Sequence, residues 1–234
     1  MYSLVIPAHN EAENLPKLLE KSFSVLKKTK EKFEIIVVND NSTDNSDEVL
    51  KKLNEKIKRL RIVTRTKNPG AGYAIREGLS KVRGDIIITM DGDLSHDPAE
   101  IVNFLKFLKD YDMVCGSRYV KGGKAEMDYS RILVSGLFNF VFRKLLGIPV
   151  KDFTSGFRVF KAKIIDKIEL KSKKFGIFIE ISLKAHLAGF KLTEIPIIYH
   201  YRGFGKSNLN YFKQGPEYIK VALEALKTKL TRQL

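Results

Sequence analysis

The chain has 234 residues, of which 44% are hydrophobic and 29% are charged. This length and composition suit one α/β domain with a full core and exclude a disordered or fibrous chain. No stretch reaches the roughly 20 apolar residues that span a bilayer, and the N-terminus lacks the charged segment of a signal peptide. Cys115 is the only cysteine, so no internal disulfide can form, and we expect an intracellular, reducing setting.

The formal net charge of +15 is concentrated in the second half of the chain. Residues 1–117 hold 19 Lys+Arg and 18 Asp+Glu, whereas residues 118–234 hold 23 and 9. A basic half can meet nucleic acid, anionic lipid headgroups or a phosphorylated substrate, or it can be a solvated surface. No nucleic-acid-binding module and no interleaving of aromatic with basic residues is recognisable, so we expect no nucleic acid partner.

Short apolar runs alternate with helical patterns through the first half. Runs rich in Val and Ile predict strands at 3–6, 35–38, 61–64, 86–90 and 113–116. Helices are predicted between and after them at about 11–30, 44–60, 71–82 and 98–110. This order predicts an α/β fold with a doubly wound, mostly parallel sheet.

The second half predicts more helix than strand. An apolar helix at 131–146 and a helix at 178–188 are followed by a strand-like run at 193–200 and a final amphipathic helix at 211–230. We therefore expect one domain over residues 1–210, which includes the apolar helix, and a C-terminal amphipathic helix over residues 211–234.

Polar residues follow the predicted strands at the points where they end. Ligands of open parallel sheets bind outside the carboxyl ends of the strands. The strongest signal there is Asp91-Gly92-Asp93, because two carboxylates beside a glycine can gather around Mg²⁺ or Mn²⁺, whose remaining ligands are phosphate oxygens and water. Asp-Gly is also a common turn dipeptide, but the setting favours the metal site.

Two further segments follow the second and third strands. In the segment 39–44, Asp40 could bind a base or ribose while Ser42 or Thr43 caps the next helix. The segment 68–72 opens the third predicted helix, where backbone N–H groups suit a phosphate. Position 75 is Ile, so the third glycine of a dinucleotide fingerprint is missing, which disfavours a redox cofactor.

Five motifs together resemble the family 2 glycosyltransferases, and within them the dolichyl-phosphate mannose synthase group. The resemblance covers about residues 2–210. The motifs are Pro7-Ala8-His9-Asn10-Glu11, Val38-Asn39-Asp40-Asn41-Ser42-Thr43-Asp44, Asp91-Gly92-Asp93-Leu94-Ser95-His96-Asp97-Pro98, Gly116-Ser117-Arg118-Tyr119 and Asp152-Phe153-Thr154-Ser155-Gly156-Phe157-Arg158. The last two point to polyprenyl-phosphate acceptors.

The resemblance implies a GT-A fold, with residues 1–210 as the catalytic domain. It implies inverting transfer of a sugar to dolichyl or polyprenyl phosphate with the help of Mg²⁺ or Mn²⁺, and GDP-mannose is the favoured donor. The alternatives are a UDP-glucose donor, or a family 2 enzyme that acts on a sugar hydroxyl. A hydroxyl acceptor needs a carboxylate base, for which Glu180 is the candidate.

The resemblance also assigns roles by motif position. Nucleotide-sugar binding is implied for Pro7, His9, Glu11, Val38, Asp40, Asp91, Gly92, Asp93, Arg118, Arg202 and Lys206. Metal binding is implied for Asp91, Asp93 and Ser95, and lipid-phosphate binding for Arg118, Arg131, Ser135 and Arg202. Asp93 and Arg118 are the expected catalytic residues. The chain departs from the group at Asn39, His9 and Asn208, where the group has Asp, Tyr and a basic residue.

The apolar helix at 131–146 carries one polar stripe. Arg131, Ser135, Asn139 and Arg143 recur every four residues and so share a face, while the other faces are apolar. This pattern predicts either burial in the protein core or a position in a membrane interface, with the stripe reaching a lipid phosphate.

The final helix is amphipathic. One face carries Phe212, Ile219, Leu223, Leu226 and Leu230, and the opposite face carries Lys213, Glu217, Lys220, Glu224 and Lys227. Packing onto the domain is the default expectation, and the alternatives are a membrane interface or a small membrane-spanning subunit. We expect peripheral attachment to the cytoplasmic face of a membrane, without a transmembrane segment in this chain.

Overall fold

The computed structural model describes residues 1–205 and 211–231. The strands are β1 (Tyr2–Ala8), β2 (Phe33–Asp40), β3 (Leu60–Arg65), β4 (Ile86–Thr89), β5 (Met113–Ser117), β6 (Lys124–Ala125), β7 (Arg158–Lys161), β8 (Leu192–Pro196) and β9 (Ile198–Tyr199). The helices are α1 (Leu15–Lys28), α2 (Ser46–Lys56), α3 (Ala71–Leu79), α4 (Ile101–Phe107), α5 (Tyr129–Leu146), α6 (Gly176–Leu187) and α7 (Tyr211–Thr231). Short 3₁₀ helices lie at Pro98–Glu100 and Ala162–Ile164.

Seven strands form one sheet in the order β3-β2-β1-β4-β7-β5-β8. β7 runs antiparallel to both of its neighbours, and the other pairs are parallel. All residues of β2 are buried, as expected for a strand covered on both faces. The predicted doubly wound, mostly parallel sheet is therefore confirmed. A separate short sheet pairs β6 with β9.

The two faces of the sheet carry separate apolar clusters. Along β1, Leu4 and Ile6 belong to the cluster beneath α1, α2 and α4, whereas Val5 belongs to the cluster beneath α3, α6 and α7. This alternation follows from the period of two residues in a strand. Both clusters are needed because helices cover both faces of the sheet.

β7 is the strand of the seven-stranded sheet that the sequence analysis did not predict. Arg158 begins it and is fully buried, which no apolar pattern indicates. In the sheet, Arg158 pairs with Thr89 in one neighbour and with Cys115 in the other. Because the two strands are antiparallel, the residues that precede Arg158 lie beside the residues that follow Thr89. The segment 152–156 therefore reaches Asp91.

Helix α5 places its polar stripe inward and its apolar faces outward. Ser135 and Asn139 are buried, at 2% and 1% exposure. Seven large apolar side chains are at least 40% exposed: Tyr129, Leu133, Val134, Leu137, Phe140, Val141 and Leu145. Burial of the whole apolar surface in the core, one of the two predicted alternatives, is therefore wrong. The rings of Phe138 and Phe142 are partly buried against the core cluster that includes α6, whereas Phe140 between them is exposed.

Helix α7 packs onto the domain, as expected by default, but with a different face. Tyr218, Val221, Ala222 and Ala225 are buried, whereas Ile219 and Leu223 of the predicted apolar face are about half exposed. The prediction is wrong for Ile219 and Leu223, because the residues of α7 that are buried lie on a different side of the helix. Phe212, Leu226 and Leu230 lie outside the side chains that the structure describes. Within the described ranges, no helix has the length and hydropathy that a membrane span requires.

Candidate active site

A cleft of about 440 Å³ opens at the carboxyl ends of β1, β2 and β4. Helix α5, the segment 152–156 and the residues after β9 form its other walls. The cleft brings together most of the predicted site residues: Pro7, His9, Glu11, Asp40, Asp91, Gly92, Asp93, Arg118, Arg131, Ser135 and Arg202. The polar strand ends therefore meet at one place, as the topology of the sheet predicts.

Two of the predicted site residues that the structure describes are not in the walls of this cleft. Val38 is fully buried in the core, because β2 is covered on both faces, and its side chain packs against the position of Gly78. Ser95 is also fully buried, behind Asp93. Lys206 lies outside the described residues.

Asp91 and Asp93 are each held through one carboxylate oxygen. Asp93 Oδ1 accepts hydrogen bonds from the backbone N–H and the hydroxyl of Ser95, at 3.1 and 2.5 Å. Asp91 Oδ2 lies 3.1 Å from Nε2 of His96. Leu94 makes this turn possible by adopting a φ of 64°, a left-handed conformation that costs a non-glycine residue about 1–2 kcal/mol. Within the described residues, the second oxygen of each carboxylate accepts no hydrogen bond.

His96 is a positioning residue whose role the sequence analysis did not identify. Its ring is buried against Phe157 and Tyr199, with centroid distances of 5.1 and 5.2 Å. Nδ1 is buried and has no hydrogen-bond partner among the described residues. We therefore assign the proton to Nε2, which donates to Asp91, because a buried N–H without an acceptor would be costly.

The donor set of this turn fits Mg²⁺ or Mn²⁺. No group of three or more His, Cys, Asp or Glu side chains that could cage a metal occurs in the described part of the chain. Two carboxylates with one available oxygen each instead suit a hard cation that takes its other ligands from substrate phosphates and water. The metal prediction of the sequence analysis stays a prediction, with Asp91 and Asp93 as its ligands.

Asp40 holds the start of α3 in place. Its Oδ2 accepts a hydrogen bond from the backbone N–H of Gly70 at 2.6 Å, and its Oδ1 accepts from Nε of Arg65 at 3.0 Å. His9 Nδ1 lies 2.7 Å from the backbone oxygen of Asp40, so this nitrogen carries a proton. The His9 ring is thereby fixed in the cleft wall. The predicted cap is also different, since Ser42 accepts from the N–H of Asn10 instead of capping α2.

The first N–H groups of α3 do not face a phosphate, and this expectation of the sequence analysis is wrong. Gly72 and Tyr73 both donate to the backbone oxygen of Lys173, at 3.1 and 3.3 Å. The backbone of Lys173 approaches so closely that a Cβ at Gly72 would lie 2.4 Å from the oxygen of Ser172. The segment 172–174 occupies the position where an anion would have to bind.

Arg118 forms a bidentate ion pair with Asp152. Its Nε and Nη2 donate to the two carboxylate oxygens at 2.7 and 2.8 Å, and Nη2 also donates to Thr154 at 3.0 Å. Burial alone would raise the pKa of Asp152, but the charge of Arg118 and its hydrogen bonds outweigh burial and lower this pKa. Nη2 of Arg118 is also 3.5 Å from the hydroxyl of Ser135, so it lies beside the polar stripe of α5.

Arg202 is paired with Glu11 across the cleft. Nη2 of Arg202 donates to Glu11 at 2.6 Å, and Asn14 donates to the second oxygen of Glu11 at 2.6 Å. Burial raises the pKa of Glu11, against the opposing effect of these two partners. The neighbouring N–H of Gly203 donates to the backbone oxygen of Asp93 at 2.9 Å. The residues after β9 are therefore tied to the turn that carries Asp91 and Asp93.

Arg158 organises the wall that faces Asp91. Its guanidinium is fully buried, donates to the backbone oxygens of Phe153, Ser155 and Phe178, and makes no ion pair within the described residues. Burial lowers its pKa. The loop that it holds brings Gly156 so near to Asp91 that a Cβ there would lie 2.6 Å from Oδ1. The motif at residues 152–158 marked this segment in the sequence. The burial of Arg158 could not be predicted, because arginine is strongly polar on every hydropathy scale.

Glu180 is not available as a catalytic base, which corrects the sequence analysis. It is 1% exposed and is absent from the cleft walls. Its two oxygens accept from the N–H groups of Lys171 and Ser172 and from the ammonium of Lys184. Burial raises its pKa, but Lys184 and these N–H groups outweigh burial and lower it. Glu180 therefore stabilises the segment before α6.

Known proteins match this chain over most of its length. The model of "Glycosyl transferase family 2" matches residues 3–169. A dolichol-phosphate mannosyltransferase of Pyrococcus furiosus is 34% identical over 88% of this chain, which spans 58% of the length of that relative. A polyprenol monophosphomannose synthase of Mycolicibacterium smegmatis is 30% identical, with 98% of this chain and 88% of the relative covered.

The fold is also that of solved structures. Glucosyl-3-phosphoglycerate synthase of Mycobacterium tuberculosis superposes with a TM-score of 0.74 at 17% identity, over 97% of this chain and 80% of that one. This likeness establishes the GT-A fold. With the family match over residues 3–169 and two relatives at 30% identity or more, the chain belongs to glycosyl transferase family 2 and is a glycosyltransferase.

Proposed function

We propose that this chain transfers a sugar from a nucleotide sugar to dolichyl or polyprenyl phosphate at a membrane surface, with inversion at the anomeric carbon. In this proposal, residues 1–210 are the catalytic domain and residues 211–234 are a C-terminal amphipathic helix. The names of the relatives support a polyprenyl-phosphate acceptor. GDP-mannose is the donor that we propose, and UDP-glucose is the alternative.

The orientation of α5 carries the proposal. One side of this helix presents Arg131 and Ser135 to the cleft, and the opposite side exposes residues such as Leu133 and Leu137. An exposed apolar surface of this kind marks a site of contact with a membrane or a protein. A helix that lies in a membrane interface would bring its polar side, and hence the cleft, to the level of a lipid phosphate.

The acceptor chemistry needs positioning more than it needs a base. A phosphate oxygen of the acceptor is already an anion, so it can form the new bond to the anomeric carbon while the bond to the leaving diphosphate breaks and its electron pair stays on that diphosphate. Attack from the opposite face inverts the centre. Arg118, Arg131 and Ser135 would hold the acceptor phosphate, because guanidinium groups bind phosphate oxygens in a planar, bidentate geometry.

The donor would lie along the other walls of the cleft. Pro7, His9, Glu11 and Asp40 line its nucleoside end, and Asp91 and Asp93 line the end proposed for the diphosphate. Bound at Asp91 and Asp93, Mg²⁺ or Mn²⁺ would offset the negative charge that develops on the leaving nucleoside diphosphate. Ser95 and His96 would orient these carboxylates through the bonds described above. Arg202, which lies in the cleft wall beside Glu11, would contact the donor.

The membrane contact that we propose is peripheral and on the cytoplasmic face, where nucleotide sugars are available. The exposed residues Ile219 and Leu223 of α7 add to the apolar surface of α5, and the rings of Phe138 and Tyr218 connect the two helices at 5.2 Å. A small membrane-spanning subunit is a second partner that would cover this surface. The net charge of +14 in residues 118–234 favours an anionic lipid surface.

The experiment that tests the function is transfer of radiolabelled sugar into organic-extractable dolichyl phosphate. GDP-mannose and UDP-glucose are compared in the presence of Mg²⁺ or Mn²⁺ and after addition of a chelator. Asp93→Ala is the inactive variant, and Asp110→Ala, at an exposed position, is its matched control. We expect metal-dependent label from GDP-mannose that Asp93→Ala abolishes and Asp110→Ala retains.

Other outcomes would separately test the sugar, the acceptor and the metal. Label from UDP-glucose alone would keep the acceptor and the mechanism and change the sugar. Label that appears only with a hydroxyl acceptor, such as a free oligosaccharide, would overturn the lipid-phosphate acceptor. Full activity after chelation would overturn the role of the metal.

A further inference from the structure

Four cationic side chains of the described residues line the cleft: Arg118, Arg131, Lys174 and Arg202. Two of them are neutralised by short ion pairs, since Arg118 pairs with Asp152 and Arg202 pairs with Glu11. Arg131 has a longer contact, 3.8 Å from Nε to Asp128. A donor diphosphate and an acceptor phosphate together bring at least three negative charges, so the cleft needs cations that its own carboxylates do not already offset.

Lys174 meets this need. Lys174 lines the cleft at an exposed position, and within the described ranges its side chain forms no ion pair and donates no hydrogen bond. The motifs of the sequence do not include it. Lys174 belongs to the segment that leads into α6. This segment also covers the first turn of α3, which places Lys174 at the cleft.

Glu217 of α7 holds this segment through its backbone. Its Oε1 accepts from the N–H groups of Lys173 and Lys174, at 2.9 and 3.0 Å, and its Oε2 accepts from the N–H of Gly176 at 3.2 Å. One carboxylate therefore accepts hydrogen bonds from three backbone N–H groups within four residues and fixes the backbone that carries the Lys174 side chain. A Cβ at Gly176 would already lie 3.0 Å from Oε2, so the contact is tight.

The surroundings of Lys174 indicate which phosphate it binds. Four aromatic residues line the same cleft, namely Phe138 of α5, Phe175 immediately before α6, Phe178 of α6 and Tyr218 of α7. A nucleoside diphosphate has no apolar group for these rings beyond its base, which belongs to the opposite end of the cleft. A phosphate that carries an isoprenoid chain has the anion and the apolar chain in adjacent positions.

We propose that Lys174 is a phosphate-binding residue of the cleft, that its ligand is the phosphate of an isoprenoid monophosphate, and that Glu217 is the positioning residue that holds it there. This inference rests on the proposed function for the identity of the acceptor. The alternative source of the same chemistry is the diphosphate of the donor. The tests below measure binding without sugar transfer, so their failure and the failure of the proposed function are distinguishable.

The first experiment measures the binding of farnesyl phosphate and, separately, of GDP with Mg²⁺ by calorimetry. Lys174→Gln is compared with Lys173→Gln, which removes a charge from the adjacent exposed position and leaves the cleft wall intact. We expect Lys174→Gln to raise the Kd of farnesyl phosphate roughly tenfold, the size of a lost charge-assisted hydrogen bond. The Kd for GDP, and both values for Lys173→Gln, should stay within about twofold of wild type.

The results that would overturn the inference are specific. An increase in the Kd for GDP alone would keep Lys174 as a phosphate ligand and move its phosphate to the donor. Equal losses of farnesyl phosphate affinity in Lys173→Gln and Lys174→Gln would show that both lysines act only through their surface charge. An unchanged Kd in Lys174→Gln would show that Lys174 does not bind the phosphate. Farnesyl phosphate that does not bind to the wild-type chain would overturn the acceptor assignment.

The second experiment tests Glu217 with a double-mutant cycle. Glu217→Gln keeps the shape of the side chain but replaces one accepting oxygen by an amide donor, and Glu224→Gln on the same helix is its exposed control. If Glu217 acts through Lys174, Glu217→Gln weakens farnesyl phosphate binding in the wild type but adds less than about twofold in the Lys174→Gln background. If the double variant loses farnesyl phosphate affinity by the product of the two single losses, Glu217 acts independently of Lys174, and the positioning role is overturned.

Discussion

Arg118 and Asp152 form a buried bidentate ion pair in the wall of the cleft beside α5. Their side chains are 7% and 0% exposed, and two N–H groups of the guanidinium donate to the two oxygens of the carboxylate. The backbone N–H of Arg118 donates to the same carboxylate at 3.0 Å. An arginine held by two guanidinium N–H groups and by its backbone N–H has little freedom, so its guanidinium presents a fixed plane to the polar side of α5.

Asp152→Asn should therefore be strongly destabilising. The variant leaves the charge of Arg118 buried without its partner, which costs on the order of 3–5 kcal/mol of unfolding free energy. Urea unfolding measures this loss. The double variant Arg118→Met with Asp152→Asn should recover part of it, because the buried charge is then gone. An Asn variant as stable as the wild type would contradict the buried pair.

Gly156→Ala should weaken metal binding more than it weakens the fold. The new Cβ would lie 2.6 Å from Oδ1 of Asp91, so this carboxylate has to move, and it can do so because it is a side-chain end at the cleft. A displaced ligand of this kind lowers metal affinity by about 10- to 100-fold. Titration with Mn²⁺ followed by electron paramagnetic resonance measures the affinity. Gly215→Ala, where a Cβ meets nothing within 4 Å, is the control and should bind Mn²⁺ as the wild type does.

Glu180→Gln separates a structural from a catalytic carboxylate. The amide group cannot accept from the N–H groups of Lys171 and Ser172 with both of its atoms, so the variant should lose about 1–3 kcal/mol of stability. KM and kcat at a permissive temperature should change little, because Glu180 is absent from the cleft. Glu169→Gln is the exposed control. A loss of kcat of several orders of magnitude, with an unchanged melting temperature, would restore Glu180 as a base.

The exposed face of α5 should bind lipid vesicles. Leu137 is 65% exposed, so Leu137→Ser should leave the melting temperature unchanged. The partition of the Leu137→Ser variant onto vesicles that contain anionic lipid should be about tenfold lower than that of the wild type. Burial of one leucine side chain in the membrane interface contributes about 1.5–3 kcal/mol to binding. Co-sedimentation measures this partition. Phe107→Ser changes an exposed apolar residue of another helix, at 41% exposure, and should have no effect. Equal losses in both variants would point to non-specific adsorption.

Asp112 should contribute stability that acid removes. Its carboxylate accepts from the ammonium groups of Lys161 and Lys163 at 3.1 and 2.8 Å. Burial would raise its pKa, but Lys163, the N–H of Lys191 and Lys161 outweigh burial and lower the pKa from 3.8 to about 2. Because the folded pKa is depressed, the contribution is complete above pH 3.8 and disappears as the pH falls towards 2.

The variant Asp112→Asn tests this pH dependence. Lys163 is 56% exposed, so solvent screening keeps the expected loss at about 1 kcal/mol near pH 6. The loss should shrink as the pH falls from 3.8 towards 2 and disappear below pH 2, where the wild-type carboxyl is protonated too. Denaturant unfolding of both proteins across this range measures the difference, with Asp110→Asn as control. A difference that does not depend on pH would contradict the assignment.

Local patterns in the sequence were enough to predict the central strands and part of the candidate site. The runs of Val and Ile in β1 and β2 predicted buried parallel strands, because a strand covered on both faces has to be apolar at nearly every position. Asp91 and Asp93 could be placed at a ligand site because they follow such a strand. The four-residue spacing of the polar stripe on α5 predicted one face, since helix geometry is the same wherever the helix lies.

Tertiary structure decided which of these groups remain available to a ligand. The N–H groups at the start of α3 suited a phosphate by sequence, but the backbone oxygen of Lys173 accepts their hydrogen bonds, whereas Asp40 lines the cleft as expected and also holds the N–H of Gly70. Glu217 was assigned to the solvent side of α7 and instead holds the cleft wall. Hydrogen-bond partners of this kind depend on how β7 enters the sheet and on which face α7 packs. Neither is encoded in a local period, because both are settled by contacts between residues that are distant in the chain.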